Sequence, residues 1–254
     1  MVALHTPEPE PQTIRHQRWV KGAHWIITMS FLVLSFSGFV ILMSHPRLYW
    51  GEVGNDLTPA LFELPISRNH QHGGWDNSTP FFQHEASPRS ASRSYDIFNQ
   101  NDWGRSLHFL AAWWLVLTGV VYLLAASVTG HFRRHLLPRA SEFTPRLLWR
   151  DFVSHFGRSR LPARLGSHYG LLQKCTYSVV IFFLLPLIVL TGLAMSPAIT
   201  AAYPFLLTLF QGVQSARTIH FFAFVALLLF LFIHVGMVIR SGFKEQIRAM
   251  TFGN

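Results

Sequence analysis

Four histidines define the chemistry open to this chain. His24, His108, His220 and His234 stand within or at the edge of long apolar runs in a sequence of 254 residues. An ionisable side chain in a hydrocarbon layer is costly and points to a function. Imidazole in such a place can ligate a metal, relay a proton or line a pore. A single histidine near a helix end is equally well explained by an interfacial hydrogen bond, but four together are harder to explain that way. Fourteen residues separate His220 from His234. On a helix that spacing is about 21 Å along the axis, and fourteen steps of about 100° fall within roughly 40° of whole turns. Both rings therefore point to nearly the same face, and one helix can offer a ligand near each side of a membrane.

Half of the residues are hydrophobic and only 13% are charged, and the mean hydropathy is positive, a mixture that indicates a membrane protein. Crossing a hydrocarbon core takes about 20 apolar residues in a helix. Four stretches meet that length, near residues 23–43, 106–128, 175–196 and 218–239. The expected fold is an all-α, up-and-down four-helix transmembrane bundle, with residues 1–254 as a single domain. Pro186 should bend the third span without breaking it. Residues 198–213, interrupted by Pro204, are too short to cross and are expected to form an interfacial helix. The stretch before the first span is polar and Pro-rich to Pro11. No cleavable signal is visible, so the first apolar run should remain as an anchor.

Basic residues set the orientation. Arg15, Arg18 and Lys21 precede the first span. Arg133, Arg134, Arg139, Arg146, Arg150, Arg158, Arg160, Arg164 and Lys174 lie in the connection 129–174, and Arg240, Lys244 and Arg248 follow the fourth span. Both termini should face the cytoplasm of a bacterial inner membrane, with loop 44–105 exported. The net charge of +9 is thus topological, and no basic groove for nucleic acid is formed. A single cysteine, Cys175, excludes an internal disulfide, a thiolate iron–sulfur site and covalent c-type haem. The front of the exported loop, HPRLYWGEVGN and TPALFELP, mixes aromatic and turn residues and is expected to fold against the bundle or a partner. His70, His72 and His84 further along give no closed ligand set and read as solvated loop residues.

Topology assigns each histidine a depth. His108 and His220 fall near the outer surface, His24 and His234 near the cytoplasmic one. Each pair can give two imidazole nitrogens to one haem iron, one from either face of the macrocycle. One metal shared by all four is excluded by the depth separation, and a proton relay would more often include Asp or Glu, of which these spans have none. Gly38, Gly119 and Gly192 permit close approach of a haem or of another helix. Arg105 and Arg217 are placed to meet the propionates of the outer haem, and Arg18 and Lys21 those of the inner one. Snorkelling to the interface explains these cations equally well. The rival classes are a transporter with a histidine-lined pore and a redox-silent membrane anchor.

The pieces HQRWVKGAHW, GRSLHFLAAW, YGLLQKCTY with LTG, and ARTIHFFAFVALLLFLFIHV resemble the bacterial di-haem cytochrome b family that includes the membrane subunits of nickel-iron hydrogenases, formate dehydrogenase and thiosulfate reductase. HPRLYWGE looks most like the thiosulfate-reductase-type branch. The resemblance implies that His24, His108, His220 and His234 hold two b haems. It also implies a periplasmic catalytic redox subunit, often a molybdenum enzyme, as partner. Quinone would exchange electrons beside the cytoplasmic haem near Tyr169, Gln173 and Lys174, with His168 where the family commonly has Asn. No residue here is assigned a catalytic role, because the substrate chemistry would belong to the other chain.

Overall fold

The computed structural model describes residues 17–55, 58–67, 101–130 and 171–251, with isolated positions 144, 146, 149 and 153. His70, His72, His84, His168 and Tyr169 lie outside the described residues. Four helices are long and apolar enough to cross a membrane: Arg18–Ser44, Trp103–Val128, Leu171–Ala194 and Val213–Arg240. The protein is an all-α membrane bundle. In hydrocarbon no water is available to satisfy N–H and C=O groups, so an apolar chain must satisfy them within itself, which selects the helix. Embedded hydroxyls obey the same constraint, as when Thr28 and Ser35 donate to the carbonyls of His24 and Phe31, each at 2.8 Å.

The first helix, α1, is Arg18–Ser44, and α2 is Asn101–Val128. The third span is composite: α3 Leu171–Val179, a π-helical turn Val180–Leu184, and α4 Leu185–Ala194. The wide turn lies directly before Pro186. Proline has no N–H, and its ring crowds the carbonyl of the preceding turn. The helix absorbs the crowding by letting the Leu185 N–H reach back to the Val180 carbonyl, so the expected bend takes the form of a π turn.

The apolar stretch 198–213 departs from the expectation of one interfacial helix. It forms two short helices, α5 Pro197–Ala202 and α6 Phe205–Phe210. Pro204 disfavours helical geometry at Tyr203 and ends the first. Gln211 and Gly212, with φ of 58° and 114°, then turn the chain into α7, Val213–Arg240. Leu206 and Phe210 bury against Ala194 and Ala216, tying these short helices to α4 and α7. Beyond α7, Gly242 turns the chain into α8, Phe243–Met250, whose last carbonyl accepts from the Trp25 indole at 3.0 Å.

The front of the long loop folds against the bundle. Its strands β1 Arg47–Leu48 and β2 Phe62–Glu63 pair antiparallel, with Leu48 opposite Phe62. The turn between them caps α7: the N–H groups of Gln214 and Ser215 donate to the Gly51 carbonyl at 3.0 and 3.3 Å. Gly51 N–H in turn donates to Ser215 Oγ at 2.6 Å. Thr218 Oγ1 donates to the Tyr49 carbonyl at 2.6 Å, and the Arg217 guanidinium donates to the His45 carbonyl. Donors that a helix N-terminus leaves unpaired are thus met by loop carbonyls.

α1 packs along α2, and α4 along α7. At one end of the bundle sits the loop, and at the other, the tail end, Trp19, Tyr122, Leu123, Tyr177 and Ile181 close around the fully buried Ala126.

At Gly212 two requirements coincide. Its φ is +114°, and an added Cβ would lie 2.4 Å from the Gly51 carbonyl oxygen. Gly212→Ala should therefore undock the cap and reduce stability by on the order of 2 kcal/mol. A thermal unfolding midpoint in detergent equal to that of the unaltered protein would contradict this.

Candidate cofactor site

Histidine rings bridge the two helix pairs. At the loop end His108 of α2 faces His220 of α7, with ring centres 6.3 Å apart. At the tail end His24 of α1 faces His234 of α7 at 6.4 Å. Those spacings are informative. A first-row metal takes an imidazole nitrogen at about 2 Å, and the ring centre lies roughly 1.1 Å behind that nitrogen, so two rings on opposite sides of one ion sit about 6.2 Å apart. Both pairs match that span, and their rings are tilted by 57° and 53° rather than stacked.

The number of donors narrows the group that fits. Among the described residues no cluster of three or more His, Cys, Asp or Glu could hold a metal ion. Two protein ligands are too few for a bare structural ion, which is almost always four-coordinate. They are what an iron already held by four macrocycle nitrogens still needs. Only 11% of the most apolar window of α7 is buried by protein.

Glycines clear the space behind the loop-end rings. A Cβ on Gly38 would stand 3.4 Å from Cε1 of His108, and one on Gly192 would stand 3.5 Å from Cε1 of His220. Gly119 meets nothing within 4 Å, so open space adjoins α2 at that level. The residues preceding the first two glycines reach the same rings. Ser37 Oγ lies 3.0 Å from His108 Nδ1, and Thr191 Oγ1 lies 3.0 Å from His220 Nδ1.

The tail-end pair is lined by aromatics. Phe230 stacks on His234 at 5.7 Å, and the Tyr177 ring lies edge-on at 6.2 Å. Gln173 Nε2 donates to Tyr177 Oη at 2.9 Å, so Gln173 connects through one tyrosine to His234. Lys21 and Lys174 are buried near this end, while Arg18 is exposed. At the loop end Arg105 is exposed, and Arg217 turns to the His45 carbonyl, so its first role is to hold the loop.

Residue type alone does not single out Ser37, Thr191 or Tyr177. For the first two the sequence does carry a signal: a hydroxyl residue directly before a glycine inside an apolar span, Ser37-Gly38 and Thr191-Gly192.

The family model for prokaryotic cytochrome b561 matches residues 15–253. The chain belongs to that family. It is accordingly a multi-pass membrane haem protein of the electron-transferring cytochrome b kind, in which iron carries the redox chemistry and the polypeptide binds, orients and shields it. A relative from Azospira oryzae, described as protein-methionine-sulfoxide reductase subunit YedZ1, is 26% identical over 223 residues, covering 88% of this chain and 89% of the relative. No solved structure matches.

The spacing at Gly38 gives a graded test of this cytochrome's cradle. Ordinary van der Waals contact at 3.4 Å means that Gly38→Ala should keep its full haem content. Gly38→Leu should drive into the His108 ring and lower the haem content, read as a lower Soret absorbance per mole of protein. Equal haem in both variants would contradict the cradle.

Proposed function

We propose that this cytochrome holds two b haems, one between His108 and His220 and one between His24 and His234, and carries electrons through the membrane between quinone and a partner redox subunit. The observation that carries this reading is the pair of ring spacings, 6.3 and 6.4 Å, at opposite ends of one helix. α7 contributes one ligand to each pair, and those two histidines are about 21 Å apart along its axis.

In the bacterial inner membrane the tail end faces the cytoplasm, with both termini, and the loop end faces outward. The whole chain acts as one domain. Quinone exchanges electrons at the tail end, where Gln173, Tyr177 and the buried Lys174 lie beside His234. The partner docks at the loop end and is a molybdenum-containing reductase. The name of the Azospira oryzae relative, a reductase subunit, supports a role as one chain of a reductase, and a thiosulfate-reductase-type partner is the narrower form of the same reading. Arg105, and the N–H groups that Arg217 does not spend on the loop, are the cations available to propionates at the loop end. Arg18 and Lys21 are those at the tail end.

When bound, haem supplies a reversible one-electron centre. The chain's own residues exclude water with apolar walls, and the two histidine pairs would hold the iron of each haem. Between the two levels the layer of Phe31, Phe224 and buried Leu227 keeps the path dry.

A reduced-minus-oxidised visible spectrum should show b-type haem. His220→Ala should remove the loop-end component and His234→Ala the tail-end one, each leaving half of the haem. A flat spectrum from protein made with an adequate supply of haem, or variants that keep full haem, would overturn the reading.

A further inference from the structure

The loop-end histidines are held by a matched device on opposite sides of the bundle. Ser37 Oγ lies 2.8 Å from the Val33 carbonyl oxygen and 3.0 Å from His108 Nδ1. Thr191 Oγ1 lies 2.8 Å from the Leu187 carbonyl oxygen and 3.0 Å from His220 Nδ1. Both hydroxyl residues are 0% exposed, so water does not compete for these contacts.

The proton count in each trio is determined. Two oxygens approach to 2.8 Å only with a hydrogen between them, and a carbonyl has none to give. The single hydroxyl proton is therefore committed to the helix carbonyl. What the hydroxyl presents to imidazole is a lone pair, so Nδ1 must carry the hydrogen and donate it. A neutral ring protonated at Nδ1 has its free lone pair on Nε2, which leaves that nitrogen as the ligand.

Resting on the two-haem reading, we propose that Ser37 and Thr191 are positioning residues that fix the tautomer and ring orientation of His108 and His220 and lower the reduction potential of the loop-end haem. An acceptor at Nδ1–H raises the basicity of the ligating nitrogen. A more basic ligand favours the ferric iron. On this haem each axial ring meets one such hydroxyl, which adds to the backbone carbonyl of Leu34 beside His108 and of Ile188 beside His220. The device also shares helix α1 between the two levels: His24 serves the tail-end iron, and Ser37, thirteen residues further on, braces a ligand of the other.

The test is a redox titration of purified full-length protein, with the loop-end component identified as the one absent from His220→Ala. Thr191→Val keeps the side-chain shape without the hydroxyl, Ser37→Ala removes the other, and Thr191→Ser restores the acceptor. With both hydroxyls removed, the reduced-to-oxidised ratio of the loop-end haem at fixed ambient potential should rise about tenfold, or about 59 mV for a one-electron couple. Each single variant should give part of that rise. The low-spin ferric resonance of that haem should change, the tail-end haem should keep its potential, and Thr191→Ser should match the unaltered protein. If Thr191→Val releases the loop-end haem, retention in Thr191→Ser supports the proposal and loss in both overturns it. Unmoved potential and resonance in the double variant, or an equal shift of both haems, also overturns it. Failure of the two-haem reading shows itself separately, as a single component in the unaltered protein.

Discussion

On the proposed two-haem reading, the span of two imidazoles across one metal is the constraint on which the rest of this structure depends. It requires helices from different sides of the bundle to hold their rings about 6 Å apart, centre to centre, with enough room between for a macrocycle. The two helix pairs, α1 with α2 and α4 with α7, satisfy this by packing tightly within each pair and letting histidines reach across. Glycine enters where the demand is greatest. At Gly38 and Gly192 a helix backbone backs directly onto a ring that must not be displaced.

On that reading α7 bears the largest share of this demand, since it places a histidine in each facing pair. Its axial position must therefore be fixed, and the loop front does this. The Gly51 carbonyl, the Tyr49 carbonyl and the His45 carbonyl all accept from the first turns of α7. A segment with no regular periodicity is thereby part of the ligand scaffold. Its backbone polar groups find partners on the helix end, which makes its close approach affordable in a chain otherwise built for lipid.

Much of this was legible in the sequence. Hydropathy placed four spans, and charge asymmetry with the fourteen-residue spacing of His220 and His234 predicted which histidines would meet. The structure brings together those two pairs. The bracing hydroxyls were less legible, because a serine in an apolar helix usually bonds its own backbone, and sequence does not say which face it shares with a neighbour. Residues 198–213 read as one helix because hydropathy averages over the break that Pro204 imposes. Arg217 was legible as a cation at the right level but not as a clasp for His45, because its partner is a backbone carbonyl in an irregular loop. The family is shown by the match to prokaryotic cytochrome b561. The thiosulfate-reductase-type branch rests on a short loop match, and the Azospira oryzae relative is described as a methionine-sulfoxide reductase subunit.

The central claim is that one chain carries two bis-histidine irons. A pyridine haemochrome assay against quantitative amino-acid analysis of the purified, haem-replete protein measures that number directly. The account predicts two non-covalent b haems per polypeptide, and a value of one or none would contradict it.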